Sequence, residues 1–434
     1  MEFLNFSPAS LPMRVILIDT MNDAFRSRHG VLHCEGVSLT ALARRHGTPL
    51  WVYSATAIRG AVDEVRDAFG VRHPLVCYAM KANGTLAILR LVVREGCGAE
   101  VVSGGELFQA RRAGVPADRI VFSGVGKTDE EIRAGLRAGI LMFNVESEPE
   151  LEAIARVARH EGRRARVAIR VNPHVDPHTH QYITTGTHEN KFGIDWSLAE
   201  AAFVKAAAMP SIELAGIHTH IGSQITDPRP FGATLARIES LLDRLARRGI
   251  TLRWRNIGGG FGIAYRPGEH RLSIRRMVRL FRHRLAARPM GLIVEPGRYL
   301  VGEAGALVAR VIYVKHGVNR TFAITDAGMN DLVRPCLYEA HHEVVPVRRR
   351  AGAPTRVDVV GPICESSDFL ALGRRLPPVH GGDLLAVLGA GAYGMAMSSN
   401  YNGRCRAAEV LVDGSRATLI RRRETYRDLV RCER

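Results

Sequence analysis

The chain has 434 residues, 46% hydrophobic and 24% charged, and its 60 Lys and Arg against 43 Asp and Glu give a net charge of +17. No apolar run reaches the roughly 18 residues that cross a bilayer, and the start of the chain lacks the cationic and long apolar stretches of a secretory signal, so a membrane span is excluded and a cytoplasmic location is expected. Only five basic residues are lysine (Lys81, Lys127, Lys191, Lys205, Lys315) and 55 are arginine, scattered with no zinc-finger spacing, basic zipper or aromatic RNA-binding signature, so a diffuse arginine bias accounts for the charge and nucleic acid is not an expected partner.

Taken in chain order, residues 13–18 and 31–34 read as short strands ahead of a helix over 39–46. From about residue 75, β-branched runs alternate with amphipathic stretches. Strands are predicted over 75–80, 99–103, 120–123, 141–145, 167–171, 214–219, 254–257 and 292–294, with helices over 86–95, 105–113, 129–138, 148–161 and 231–248. Such alternation specifies a parallel sheet, and eight βα units over about 225 residues match a (β/α)8 barrel. Beyond residue 303, runs at 306–314, 321–325, 356–360, 384–388 and 407–412 follow one another with little helix between them, which predicts a mostly antiparallel β domain. The N-terminal strands are assigned to it as well, giving 1–45 and 304–434 as a discontinuous β domain and 46–303 as the barrel. The seven cysteines are odd in number and hold no C-x-x-C pair, as expected of free thiols in a reducing compartment.

In a barrel of this kind the site lies at the C-terminal strand ends. Read in order, those ends carry Tyr78-Ala-Met-Lys81-Ala-Asn83, Ser103-Gly-Gly-Glu106, Ser123-Gly-Val-Gly-Lys127, Arg170-Val-Asn172-Pro173, His218-Thr-His220-Ile-Gly-Ser223-Gln224, Gly258-Gly-Gly260-Phe-Gly262 and Glu295-Pro-Gly297-Arg298. Nearly every strand delivers polar or glycine residues to one rim. Lys81 there is either an amine that forms a Schiff base, if its pKa is depressed, or an ordinary ion-paired rim lysine. The bare N–H groups of Gly258–Gly260 suit a phosphate, and the position after the seventh strand favours that over a plain tight turn. His220 alternates with His218 across the strand and has no carboxylate at metal-ligand spacing, so a ring packed on a flat cofactor is expected, with no metal, and His218 is read as a core or supporting histidine. Gly389-Ala-Gly391-Ala-Tyr-Gly394 fits G-x-G-x-x-G but leads into Met395-Ala-Met-Ser-Ser-Asn400 without a helix, so a dinucleotide fold is rejected.

An imine-forming lysine, a phosphate cradle, an acid and a flat-ring histidine together describe pyridoxal phosphate. The chain resembles the fold-type III pyridoxal-phosphate decarboxylases, most closely the diaminopimelate decarboxylases. The resemblance runs from Glu35-Gly-Val-Ser-Leu to about Leu411. It includes Tyr78-Ala-Met-Lys-Ala-Asn, Val102-Ser-Gly-Gly-Glu-Leu, Glu189-Asn-Lys-Phe-Gly, His220-Ile-Gly-Ser-Gln, Glu295-Pro-Gly-Arg, Asp326-Ala-Gly-Met-Asn-Asp-Leu-Val-Arg-Pro, Gly361-Pro-Ile-Cys-Glu-Ser and Gly391-Ala-Tyr-Gly-Met-Ala-Met-Ser-Ser-Asn-Tyr-Asn. It implies an alanine racemase-like barrel with the appended β domain.

The resemblance also implies roles. Lys81 matches the Schiff-base lysine and His220 the histidine stacked on the pyridine face. Ser223, Gly260 and the loop Glu295, Gly297, Arg298 surround phosphate and ring, with Glu295 bonding the pyridine nitrogen. Arg298, Arg334 and Tyr338 match binders of the substrate carboxylate, and Tyr393 a tyrosine that closes over the cofactor. Cys364 and Glu365 match a pair entering from the partner subunit of a homodimer, with Cys364 as proton donor. The implied reaction is decarboxylation of meso-diaminopimelate to L-lysine. A decarboxylase of the same fold acting on another amino acid, even one tethered to a carrier protein, stays open. Alanine racemase chemistry is disfavoured by the acid at the pyridine nitrogen, and a catalytically dead regulator would lack a cofactor band. Departures from the family pattern are Met80, Ser367 and Thr187-His188, none at a position given a role.

Overall fold

The structure, a computed structural model, describes residues 24–70, 73–176 and 191–434. The strand expected over 13–18, Thr187-His188 and the Glu189-Asn190 start of one motif lie outside the described residues.

Eight strands form the barrel: β1 Leu75–Ala79, β2 Gly98–Val101, β3 Ile120–Phe122, β4 Met142–Val145, β5 Ala165–Asn172, β6 Ile212–His218, β7 Trp254–Asn256 and β8 Gly291–Val294. All pair in parallel, and β4 pairs with β5 (Phe143 opposite Val167) while β8 pairs with β1 (Ile293 opposite Leu75), which closes the ring. A short strand, Ile194–Asp195, adds to the C-terminal end of β5. Strands of a closed parallel barrel are covered on both faces, so they read as near-continuous apolar runs, and that is why the sequence reveals them.

Local signals start and stop the intervening helices. Ser103, Ser147 and Ser273 accept hydrogen bonds from the first turns of Gly104–Ala113, Glu148–His160 and Ile274–Ala286, and Thr128 with Glu131 makes a capping box for Asp129–Ala138. The Ser103 cap matters for the site, because it turns the chain sharply at the rim after β2. Phe122 and Phe143, on neighbouring strands, stack at 5.9 Å inside the core. Phe122→Ala is expected to cost about 3–5 kcal/mol, read as a lower urea midpoint with an unchanged m-value.

The second sheet is built around Gly305–His316, which pairs antiparallel with Leu50–Ser54, Thr321–Thr325 and Leu384–Val387. Two pairings are parallel: Leu50–Ser54 with Ala408–Asp413, and Thr321–Thr325 with Thr355–Val360. Leu50–Ser54 lies past residue 45, where the sequence suggested that the β domain gives way to the barrel. The run Leu-Trp-Val-Tyr-Ser is buried throughout and passes straight into helix Ala55–Ala68, so it looks like a barrel βα unit. Its partners on both sides, however, are β-domain strands; Phe369–Leu376 and Arg416–Arg421 end the same sheet, while Phe25–Arg28, Val31–Cys34 and Val37–Ser38 form a separate three-stranded antiparallel sheet. Among the described residues no helix is long and apolar enough to cross a membrane.

Candidate active site

Lys81 sits in the 3₁₀ turn Met80–Ala82 directly after β1. Its Nζ lies 3.2 and 3.1 Å from the two carboxylate oxygens of Glu100, a β2 residue only 1% exposed, while the lysine side chain stays 39% exposed. Desolvation works against the ammonium, but Glu100, with Tyr393 and Glu295, raises the amine above its ordinary value. Of the two readings that the rim position leaves open, the geometry here is that of the ion-paired lysine. Glu106, three residues into the Ser103-capped turn, is pushed up to about 7 by burial and by Glu100 beside it.

On the other side of β1, Glu295 follows β8 and is buried. Asn256 Nδ2 donates to its Oε1 at 2.6 Å, Asn144 Nδ2 does so at 3.1 Å, and His218 Nε2 stands 3.2 Å from its Oε2. Burial alone would push this carboxyl up. The His218 ring, the Asn256 hydrogen bond and Lys81 outweigh that and hold it well below the usual carboxylate range. Behind His218, Arg170 and Glu146 form a buried ion pair at 2.6 Å. Glu295 is thus a fixed anion with one face of the pocket before it.

His220 is placed by the neighbouring loop: Gly259 N–H donates to its Nδ1 at 3.1 Å. Burial, Arg170 and Lys81 push the ring's pKa down, so His220 is neutral. Gly258–Gly260 is there because nothing larger fits. A Cβ on Gly259 would come within 2.0 Å of the Glu295 carbonyl oxygen and one on Gly260 within 2.2 Å of the Gly222 carbonyl, and Gly258 and Gly260 have φ of +69° and +84°.

The far wall is cationic and aromatic. Arg298, 7% exposed, donates to Tyr265 Oη at 2.5 Å and to Ser223 Oγ at 3.1 Å, with its guanidinium 4.8 Å from the Tyr393 ring centre. Arg334, 5% exposed, lies 4.8 Å over the Tyr265 ring and donates to His342 Nε2 at 2.8 Å. Neither arginine meets a carboxylate among the described residues, and the Nε of each is buried without a partner. Tyr338, half-buried at the end of helix Arg334–Tyr338, lies in the field of Arg298. Tyr393 takes a left-handed φ of 58°, and its N–H donates to the Ala82 carbonyl at 2.8 Å, locking the β domain onto the Lys81 turn. The rejected glycine motif explains itself here: it follows Leu384–Val387 and leads into the 3₁₀ turn Met395–Met397, and a Cβ on Gly391 would meet the Val301 carbonyl at 1.9 Å.

Lys81, His220, Ser223, Gly260, Glu295, Gly297, Arg298, Arg334 and Tyr393 are thereby gathered at one end of the barrel. Cys364 and Glu365 are not. Both are exposed on a β-domain loop, where Cys364 N–H donates to Asn402 Oδ1 at 2.9 Å and Glu365 accepts from the Tyr401 hydroxyl. Among the described residues no group of three His, Cys, Asp or Glu is arranged to hold a metal. Sequence reasoning missed Glu100, Asn144, Asn256, Tyr265 and His342. The first three had a signal, a polar residue inside a strand buried on both faces, while Tyr265 and His342 had none beyond their chemistry.

Comparison with known proteins agrees with this geometry. Residues 55–302 match the family model described as the pyridoxal binding domain of pyridoxal-dependent decarboxylases. The chain is 50% identical over 408 residues to a diaminopimelate decarboxylase of Pseudomonas fluorescens, covering 94% of this chain and 98% of that protein. It is 45% identical over 410 residues to that of Aquifex aeolicus, covering 94% and 97%. The crystal structure of diaminopimelate decarboxylase from Helicobacter pylori complexed with L-lysine superposes with a TM-score of 0.87 at 40% identity, covering 91% of this chain and 98% of that one.

Proposed function

The chain belongs to the pyridoxal-dependent decarboxylases, among the diaminopimelate decarboxylases, and from that premise we infer that it removes one carboxyl group of meso-2,6-diaminopimelate as CO2 and leaves L-lysine. Its cofactor is pyridoxal 5′-phosphate. The observation that carries the reading is the meeting of three features: a lysine after β1, a buried anionic Glu295 after β8, and two buried arginines without carboxylate partners among the described residues.

The pocket's own geometry fits the cofactor. Within the glycine run, Gly258 N–H goes to Asn256 Oδ1 and Gly259 N–H to His220 Nδ1, so it is the Gly260 N–H that we assign to the phosphate, with Ser223 and Gly297 beside it. Gly297 is as tightly enclosed as the glycine run, since a Cβ there would stand 3.0 Å from Ala79. When bound, the cofactor supplies a protonated pyridine ring that accepts the electron pair left behind by CO2. Glu295, kept ionised by His218 and Asn256, would accept the ring's N–H. Neutral His220 offers a flat face without a charge that would oppose that proton. Lys81 is the residue we assign to hold the aldehyde carbon, and Glu100 is placed to take the proton its ammonium must lose before the amine can attack.

Arg298, Arg334 and Tyr338 are assigned to the carboxylate that stays on the product, with Tyr393 closing over the pocket. Buried guanidinium groups without an anion are costly unless a ligand supplies one. Arg334→Ala is expected to remove a contact worth roughly 2–4 kcal/mol in a dry pocket. KM for diaminopimelate should rise tens- to hundreds-fold while the cofactor stays bound, as measured by steady-state kinetics beside the absorbance near 420 nm.

We assign the proton returned to the α-carbon to the thiol of Cys364 of the partner subunit, with Glu365 beside it, in a two-fold homodimer. The exposure of both on a single chain supports this, because a proton donor idle in solvent has no function unless a second chain brings it to a pocket. Free thiols, two of them exposed, fit a reducing cytoplasmic setting. The test is CO2 release by the purified holoenzyme over a panel of amino acids. Release from meso-diaminopimelate with equimolar L-lysine is expected. Equal rates on lysine, ornithine or arginine would overturn the substrate assignment.

A further inference from the structure

We propose that His342 is a positioning residue for substrate selection, holding the Arg334 guanidinium where it meets the retained carboxylate. The proposal rests on the reading of Arg334 as a carboxylate binder and adds the group that sets its place.

Geometry fixes the state of the ring. His342 is fully buried, with Nδ1 3.0 Å from the Leu388 carbonyl and Nε2 2.8 Å from Arg334 Nη1. A carbonyl only accepts, so Nδ1 carries the hydrogen. A guanidinium only donates, so Nε2 carries none. His342 is therefore neutral with its lone pair aimed at Arg334, and burial together with the charge of Arg334 favours that form.

The ring cannot drift. The His342 carbonyl accepts from Arg374 Nη2 at 3.1 Å, the same nitrogen contacts His341 Nδ1 at 2.8 Å, and Leu388 N–H returns to the Glu343 carbonyl at 2.8 Å. Tyr265 stands edge-on to the imidazole at 5.3 Å and presents its face to Arg334. Arg334 is thus held by a lone pair from one direction and a π-face from another, with no anion competing for its remaining donors among the described residues. A carboxylate in place of His342 would neutralise the guanidinium and occupy it. A neutral acceptor orients the guanidinium and leaves its charge for the ligand.

The test compares two ligands of the holoenzyme by calorimetry: L-lysine, which carries the retained carboxylate, and 1,5-diaminopentane, which lacks it. His342→Phe keeps ring volume and removes the lone pair, whereas His342→Gln keeps an acceptor. For His342→Phe, lysine affinity should fall about tenfold or more with diaminopentane affinity unchanged, and His342→Gln should recover most of the lysine affinity. Unchanged lysine affinity in His342→Phe overturns the proposal. So does an equal loss for both ligands, or a His342→Gln protein as impaired as His342→Phe, since either marks a packing role. If the wild-type protein itself shows no preference for lysine over diaminopentane, the assignment of Arg334 fails instead, which is a separate result.

Discussion

Lys81→Ala should lower kcat by about three orders of magnitude or more, as expected for loss of a group that acts through a covalent bond. The reason is positional. β1 ends in a 3₁₀ turn that projects this amine alone among the five lysines into the space shared with His220, Glu295 and Tyr393. Alanine is tolerated there structurally, because the turn is held by main-chain and neighbouring contacts, Tyr78 Oη to the Asn83 carbonyl at 2.9 Å and Tyr393 N–H to Ala82, rather than by the lysine. The variant should therefore fold with an unchanged far-UV spectrum and lose its cofactor on dialysis. Removing the lysine also strands Glu100, buried and without its cation, so the variant should lose some stability, read as a lower urea midpoint. A Lys81→Ala protein with near-normal turnover would contradict the assignment.

Mixing two inactive proteins should restore activity. If each site takes Lys81 from one chain and Cys364 with Glu365 from the other, then Lys81→Ala and Cys364→Ala chains at equal concentration give about half heterodimers, each with one intact site of two, and roughly a quarter of wild-type activity returns. The Cys364 loop supports the composite site. It is exposed, it is tethered to the Tyr401–Gly403 turn through Asn402 and Tyr401, and half-exposed Tyr401 and Leu337 lie on the described surface as apolar groups a second chain could cover. Subunit exchange demonstrated by mass spectrometry without any return of activity would show that Cys364 acts within its own chain or not at all.

The barrel was legible because its strands are buried on both faces and its helices on one, so period and composition agree at every βα unit. The rim residues were legible because polar groups and glycines at the ends of apolar strands have few structural excuses. Asn144 and Asn256 escaped because a polar residue inside a buried strand marks a role without naming its partner, which becomes visible once Glu295 is seen between them. Leu50–Ser54 was hidden by its own hydrophobicity, since an all-buried strand looks the same in a barrel as in a mixed sheet. The charge state of Lys81 stayed open for a similar reason: a carboxylate on the adjacent strand, Glu100, bears on the amine, and adjacency across strands is not written in the linear order.

Borohydride reduction of the holoenzyme followed by peptide mapping tests the central claim most directly. The other four lysines lie elsewhere: Lys127 is buried against Glu150 at 2.6 Å, Lys191 sits 5.3 Å over the Phe192 ring, Lys205 pairs with Glu148 and Glu152, and Lys315 lies on the second sheet. A single pyridoxyl label on the Lys81 peptide is the predicted result. A label on Lys127, Lys191, Lys205 or Lys315, or reduced protein with no label at all, would contradict the account.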